Sequence, residues 1–254
     1  VGKGVGDDWL GKEVVALTHG GGYAEYCAAD ASHCLSLPEN FNFYEGAALP
    51  ETAFTIYHNV IERGRLTEHE VVLIHGGSSG IGVMATQVAK AIGATVIITA
   101  GSGEKCRFCI DVGADHAINY NSLNFEENVR ELYPNGVDVV LDMVGGSYFP
   151  QNVKILGIEG RYLSIAFLRG SKVDLNLSSI LLKRLTVTGS TLRPQSTEQK
   201  ARIANGVESL IWPMVTRGKI RSYVDSIFNL EEAGAAHELM ESSAHKGKIV
   251  LKVR

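Results

Sequence analysis

The stretch Val71-Val-Leu-Ile-His-Gly-Gly-Ser-Ser-Gly-Ile-Gly82 runs from a short apolar strand through a glycine-rich turn into a helix. Gly77, Gly80 and Gly82 let the backbone turn sharply and approach a pyrophosphate. The helix that opens behind them offers unpaired N–H groups and the positive end of its dipole. Ser78 and Ser79 bring hydroxyl groups to the same turn. The middle glycine of the usual G-x-G-x-x-G spacing is Ser79 here, so the match is imperfect. A glycine-rich turn alone is also what a purely structural strand–helix junction looks like.

The context on both sides decides for dinucleotide binding. Downstream, helix Ser79–Ile92, strand Thr95–Thr99, helix Glu104–Val112, strand His116–Tyr120, helix Phe125–Leu132, strand Val137–Asp142, helix Tyr148–Ile155, strand Arg161–Phe167 and strand Leu185–Thr188 are predicted from periodicity. Strand and helix alternate, which predicts a doubly wound, Rossmann-type parallel sheet covered on both faces. Upstream, Val14–Leu17 and Tyr23–Ala28 read as short strands and Glu45–Arg63 as a helix. After the alternating stretch come a helix over Thr197–Val215, an extended Ser222–Phe228, a helix over Glu231–Met240 and a strand over Lys248–Lys252. The expected organisation is a sheet domain over residues 47–192 and a second domain built from 1–46 and 193–254.

The chain has 254 residues, 45% of them hydrophobic and 20% charged, which is ordinary globular composition. A net charge of −4 gives no long-range pull toward nucleic acid or anionic lipid. No apolar run is long enough to cross a bilayer. Cys27, Cys34, Cys106 and Cys109 form no dense disulfide framework, so a reducing, cytoplasmic setting is expected. Cys106 and Cys109 make a C-x-x-C pair, but no second pair stands at zinc-ligand spacing, and both sit in a helix opening.

The end of the second strand of the sheet bears on cofactor type. An NAD site carries an acidic residue there to hold the ribose diol. Here the strand runs into Thr99-Ala-Gly-Ser-Gly103, with Glu104 already in the helix opening and Lys105 directly after it. A small, uncharged strand end beside a lysine leaves room for a 2′-phosphate and a charge to meet it. Tyr120, at the end of the next strand, is placed to cover the adenine or donate to that phosphate. NADPH is therefore expected, against the plainer reading of Lys105 as a solvated surface lysine.

Several motifs in order carry a family resemblance: His75-Gly-Gly-Ser-Ser-Gly-Ile-Gly82, Thr99-Ala-Gly-Ser-Gly-Glu-Lys105, Gly113-Ala-Asp-His-Ala-Ile-Asn-Tyr120, Val137-Asp-Val-Val-Leu-Asp-Met-Val-Gly-Gly146, Gly160-Arg-Tyr-Leu-Ser-Ile-Ala-Phe167, Gly189-Ser-Thr-Leu-Arg193 and Gly247-Lys-Ile-Val-Leu251. Together they resemble the zinc-free, zeta-crystallin-like NADPH:quinone oxidoreductases of the medium-chain dehydrogenase/reductase superfamily. The resemblance implies a GroES-like, β-rich catalytic domain around the Rossmann domain. Residues 1–46 match only the last part of that family's N-terminal segment, so an incomplete catalytic domain is expected.

The resemblance also implies roles. Thr55 would face the nicotinamide. Gly77, Ser78, Ser79, Gly80 and Ile81 would hold the pyrophosphate, and Gly101, Ser102, Lys105 and Tyr120 the adenosine phosphate. Val144 would touch the ribose, backbone groups of Phe167 and Leu168 the carboxamide, and Leu192 and Arg193 the edge of the cleft, while Lys248 would reach the phosphates. No catalytic acid or base is assigned, because quinone reduction needs little acid chemistry from the protein. Zinc-dependent relatives carry a four-cysteine lobe that Val15–Tyr26 lacks, and a metal ligand where Glu51 stands here. As a helix-start acid Glu51 needs no metal, so no metal is expected. An enoyl reductase of the same superfamily and a non-catalytic NADPH-binding module stand as alternatives. A homodimer through a sheet edge is implied, with a small quinone or enone as substrate.

Overall fold

The computed structural model describes residues 1–253. It divides into two compact units, Val1–Thr55 with Leu192–Arg254, and Ile56–Thr191.

In the first part of the chain β1 (Val14–Ala16) pairs antiparallel with β2 (Cys34–Ser36), and α1 (Phe43–Ala47) and α2 (Pro50–Ile56) follow. A capping box between Asn42 and Glu45 starts α1. The predicted single helix over Glu45–Arg63 is thus two α-helices followed by a π-helical stretch at Tyr57–Arg63. Pro50 accounts for the break, since it favours a helix's first turn and disfavours helix at the residue before it. The predicted strand at Tyr23–Ala28 does not form: residues 21–30 are all exposed, with Tyr26 at 91%. A strand needs a ladder partner, and none lies beside this stretch among the described residues.

The second unit is the alternating one. It carries β3 (Val71–His75), α3 (Gly80–Ile92), β4 (Thr95–Ala100), α4 (Gly103–Val112), β5 (His116–Asn119), α5 (Phe125–Leu132), β6 (Val137–Asp142), α6 (Tyr148–Ile155), β7 (Leu156–Ser164), α7 (Ser178–Lys183) and β8 (Thr186–Gly189). The strands form one parallel sheet in the order β5-β4-β3-β6-β7-β8. β3, β4 and β6 are buried along nearly their whole length, which is why they read as continuous apolar runs. One face of the sheet packs Leu73, Ile97, Val140 and Tyr162 against Phe125, Val129, Tyr148 and Val153 of α5 and α6.

The seventh strand differs from its prediction. It spans Leu156–Ser164, not Arg161–Phe167, because its ladder ends where β6 ends, with Ser164 opposite Asp142. Phe167 therefore lies in the loop beyond the sheet. That loop leads to α7, which no periodic pattern announced; Leu177, Leu181 and Leu182 there are exposed.

The remainder of the first unit holds α8 (Thr197–Gly206), a π-helical stretch at Val207–Ile211, α9 (Trp212–Thr216), β9 (Val224–Asn229), α10 (Ala233–Glu241) and β10 (Lys248–Lys252). β9 and β10 pair in parallel. Trp212 Nε1 donates to the Ser36 carbonyl at 2.9 Å, and the Ser222 hydroxyl to that of Glu45 at 3.0 Å. These bonds tie the two sequence-distant pieces of this unit together. Among the described residues no helix is long and apolar enough to cross a membrane.

Candidate cofactor site

The glycine-rich loop stands at the carboxyl end of β3, where open α/β sheets bind their ligands. Gly77 N donates to the Thr99 carbonyl at 2.9 Å and Ser79 N to that of Gly76 at 3.0 Å, which fixes the turn. Ser79 is the N-cap of α3: its hydroxyl oxygen accepts from Gly82 N at 3.0 Å. A Cβ on Gly82 would run into the Gly76 carbonyl oxygen and Gly77 Cα, so the helix lies against its own turn only because no side chain intervenes. Ser78 is buried and Gly80 and Ile81 are half-buried in the first turn of α3. N–H groups of a first turn have no intrahelical acceptor, and here they lie at the positive end of a 13-residue helix.

A second cluster forms at the ends of β4 and β5. Ser102 caps α4 by accepting from Lys105 N at 3.2 Å. Tyr120 closes over the strand end: a Cβ on Gly101 would stand 2.7 Å from its hydroxyl oxygen. Asn121 Nδ2 donates to the Gly101 carbonyl at 2.7 Å and holds the two strand ends together. Gly101, Ser102, Lys105 and Tyr120 are thus neighbours at two adjoining strand ends, and no acid is among them; Glu104 is exposed in the first turn of α4.

Beneath the loop lies a buried polar network that the sequence did not announce. Asp142, at the end of β6, is fully buried. Its carboxylate accepts from Val144 N at 2.6 Å, Gly145 N at 3.2 Å, Asn152 Nδ2 at 3.1 Å and the Tyr162 hydroxyl at 2.7 Å. Asn152 Oδ1 faces His75 Nε2 at 2.8 Å, and His75 Nδ1 faces the Thr99 hydroxyl at 3.0 Å. Because Asn152 spends its amide on Asp142, its oxygen must accept, so His75 carries its proton on Nε2 and accepts from Thr99. Burial pushes the His75 pKa below its usual value and keeps the ring neutral. Burial together with Asp142 pushes the Tyr162 pKa upward, so Tyr162 stays a donor. The network pins the loop that starts at Met143, and with it Val144. Its signal in the sequence was four polar residues at positions that periodicity marks as interior.

Phe167 and Leu168 occupy the loop after β7 and are 55% and 75% exposed. The loop is held from its backbone: Leu168 N donates to the Met143 carbonyl at 3.1 Å and Arg169 N to that of Val144 at 2.8 Å.

Thr55, Leu192, Arg193 and Lys248 belong to the first unit. Thr55 is buried on α2, one turn after the exposed Glu51. Leu192 is buried and Arg193 exposed, with the Arg193 carbonyl accepting from Lys200 Nζ at 2.9 Å. Burial lowers the Lys248 pKa, and the Glu51 carboxylate opposes that shift. In α4, burial pushes Cys109 up to about 12 and raises Cys106 as well, so neither thiol favours the thiolate that metal binding or redox exchange requires. Among the described residues, no group of three or more His, Cys, Asp or Glu is placed to hold a metal ion.

Residues 80–205 match the zinc-binding dehydrogenase family. Rat quinone oxidoreductase is 30% identical over 254 residues, covering 99% of this chain and 75% of that protein. Among solved structures, Escherichia coli quinone oxidoreductase complexed with NADPH superposes with a TM-score of 0.81 at 27% identity, over 90% of this chain and 71% of that one. An NAD-dependent alcohol dehydrogenase gives 0.81 at 32% identity, over 92% and 66%. The chain spans 55–75% of the length of the curated relatives it matches. Sequence and fold agree across nearly the whole chain, and the chain belongs to the medium-chain dehydrogenase/reductase superfamily, in its quinone oxidoreductase-like branch.

Proposed function

We propose that this oxidoreductase reduces quinones or related α,β-unsaturated carbonyls by hydride transfer from NADPH, without zinc. The observation that carries the cofactor choice is the end of β4. Gly101, Ser102, Lys105 and Tyr120 surround it, and no carboxylate stands where a ribose diol would need one. The Escherichia coli relative was solved with NADPH, which supports the same choice. The cradle fits such a group: Gly80 and Gly82 bring no side chains to the first turn of α3, whose opening N–H groups have no intrahelical acceptor.

When bound, NADPH supplies the hydride. The chain's own residues bind and orient. The first turn of α3 takes the pyrophosphate, Lys105 and Ser102 take the 2′-phosphate, and Val144, held by Asp142, takes the ribose. Backbone groups of Phe167 and Leu168 fix the carboxamide. By the family resemblance, Thr55 would face the nicotinamide, Leu192 and Arg193 would border the cleft, and Lys248 would reach the phosphates. Four free thiols suit a reducing, cytoplasmic setting.

A homodimer is part of the proposal. β8 is an edge strand with Val187 exposed, and Leu181 and Leu182 of α7 stand 77% and 71% exposed nearby in sequence. A solution mass of a monomer at all concentrations removes it.

The test is equilibrium binding of NADPH and NADH, with Lys105→Ala alongside. NADPH is expected to bind tighter by at least about tenfold, with the difference removed by the substitution. Equal affinities overturn the cofactor choice. Binding without turnover on any quinone or enone makes the chain a non-catalytic NADPH-binding module.

A further inference from the structure

Arg169 stands apart from every role named above. Its backbone is fixed: Arg169 N donates to the Val144 carbonyl at 2.8 Å, and Gly146 N donates to the Gly170 carbonyl at 2.8 Å. From that anchor the side chain reaches back across the sheet's carboxyl edge. Its guanidinium carbon lies 5.3 Å from the Tyr148 ring centroid and 6.0 Å from that of Tyr120. The residue is exposed, and it pairs with no carboxylate among the described residues. A guanidinium held only over aromatic faces keeps all its donors for an anion.

Tyr120 gives the location. The hydroxyl of this ring closes on Gly101, the strand end beside Ser102 and Lys105. A cation that reaches the Tyr120 ring from the loop after β7 therefore comes to the adenosine cluster from a different loop than the one that carries Lys105. Phosphate oxygens bind a planar guanidinium through paired N–H donors, a stronger hold than an exposed ring face provides.

We propose that Arg169 is a second cationic contact for the 2′-phosphate, closing over Tyr120 to share with Lys105 the discrimination between NADPH and NADH. The proposal rests on the cofactor reading above. It makes specificity depend on two loops, one after β4 and one after β7. It also couples the loop that carries Phe167 and Leu168 to occupancy of the adenosine end.

The experiment compares calorimetric binding of 2′,5′-ADP and 5′-AMP to the full chain, in wild type, Arg169→Ala, Arg169→Lys and Lys105→Ala. The side chain is exposed, so thermal melts of both Arg169 variants are expected to match wild type. Arg169→Ala is expected to weaken 2′,5′-ADP by about tenfold and leave 5′-AMP unchanged, and Arg169→Lys to fall between. If Lys105→Ala weakens 2′,5′-ADP and Arg169→Ala does not, the cofactor reading stands and the Arg169 assignment is overturned. An equal loss of both ligands in Arg169→Ala overturns it too, by removing the link to the 2′-phosphate. If wild type shows no preference for 2′,5′-ADP, the cofactor reading fails, and the assignment with it.

Discussion

The turn after β3 and the loop after β7 both stand at the carboxyl edge of one parallel sheet, and they are held by different means. In the first, two contacts join near neighbours, Ser79 to Gly82 and Ser79 to Gly76, and one, from Gly77 to the carbonyl of Thr99, ties the turn to the adjacent strand. In the second, Leu168 and Arg169 hang by their N–H groups from carbonyls at Met143 and Val144, more than twenty residues away. The first is a conformation its own residues prefer. The second exists only while the loop after β6 is in place, and Asp142 keeps that loop in place. A pyrophosphate cradle can therefore be read locally, whereas the groups that would set ring face and 2′-phosphate preference depend on the assembled sheet.

The contrast is open to graded tests. Asp142→Ala removes a buried acceptor and strands Asn152, Tyr162 and two backbone N–H groups. It is expected to cost about 3–5 kcal/mol by chemical denaturation, and to weaken nucleotide binding in whatever fraction stays folded. A loss below about 1 kcal/mol would mean that the second loop does not hang on this carboxylate. Gly82→Ala strikes the first region alone. The added methyl meets backbone at Gly76 and Gly77, which cannot move aside cheaply, and the expected cost is about 2–3 kcal/mol with a matching loss of NADPH affinity. Unchanged affinity there would separate the turn from the phosphate.

Tyr162→Phe keeps the ring and deletes one donor to Asp142. Since Asp142 keeps its other donors, an intermediate loss of about 1.5–2 kcal/mol is expected from denaturant midpoints. Smallest of all, Arg169→Ala is expected to shift stability by no more than about 0.5 kcal/mol, because its side chain is exposed and only its backbone holds the loop. A large loss of stability would make the guanidinium a structural group and blur the contrast between the two regions.

Much of the fold was legible from pattern. The buried strands β3, β4 and β6 are short apolar runs bounded by turn residues, and Ser79, Ser102 and Asn124 cap the helices behind β3, β4 and β5. The two strand misses share one cause. Tyr23–Ala28 has the composition of a strand and no ladder partner among the described residues. Arg161–Phe167 has the composition of a strand too, but its ladder stops where β6 stops. In the site, Gly77, Gly80 and Gly82 announced themselves by spacing, while Ser79 broke it and proved to be the cap of α3. His75, Asp142, Asn152 and Tyr162 did not, since each looks alone like an interior polar residue.

The amino-acid sequence by itself determined the alternation of strand and helix, the glycine turn and its capping serine, and the absence of an acid at the end of β4. Each of these depends on residues within one or two turns of chain, where backbone sterics and side-chain caps act directly. Only the tertiary structure decided where β7 ends, which donors converge on Asp142, and that Arg169 lies over Tyr120. Those outcomes depend on strand pairing and on contacts between chain segments, such as Tyr162 with Asp142 and His75 with Asn152, which are set when the sheet closes and not before.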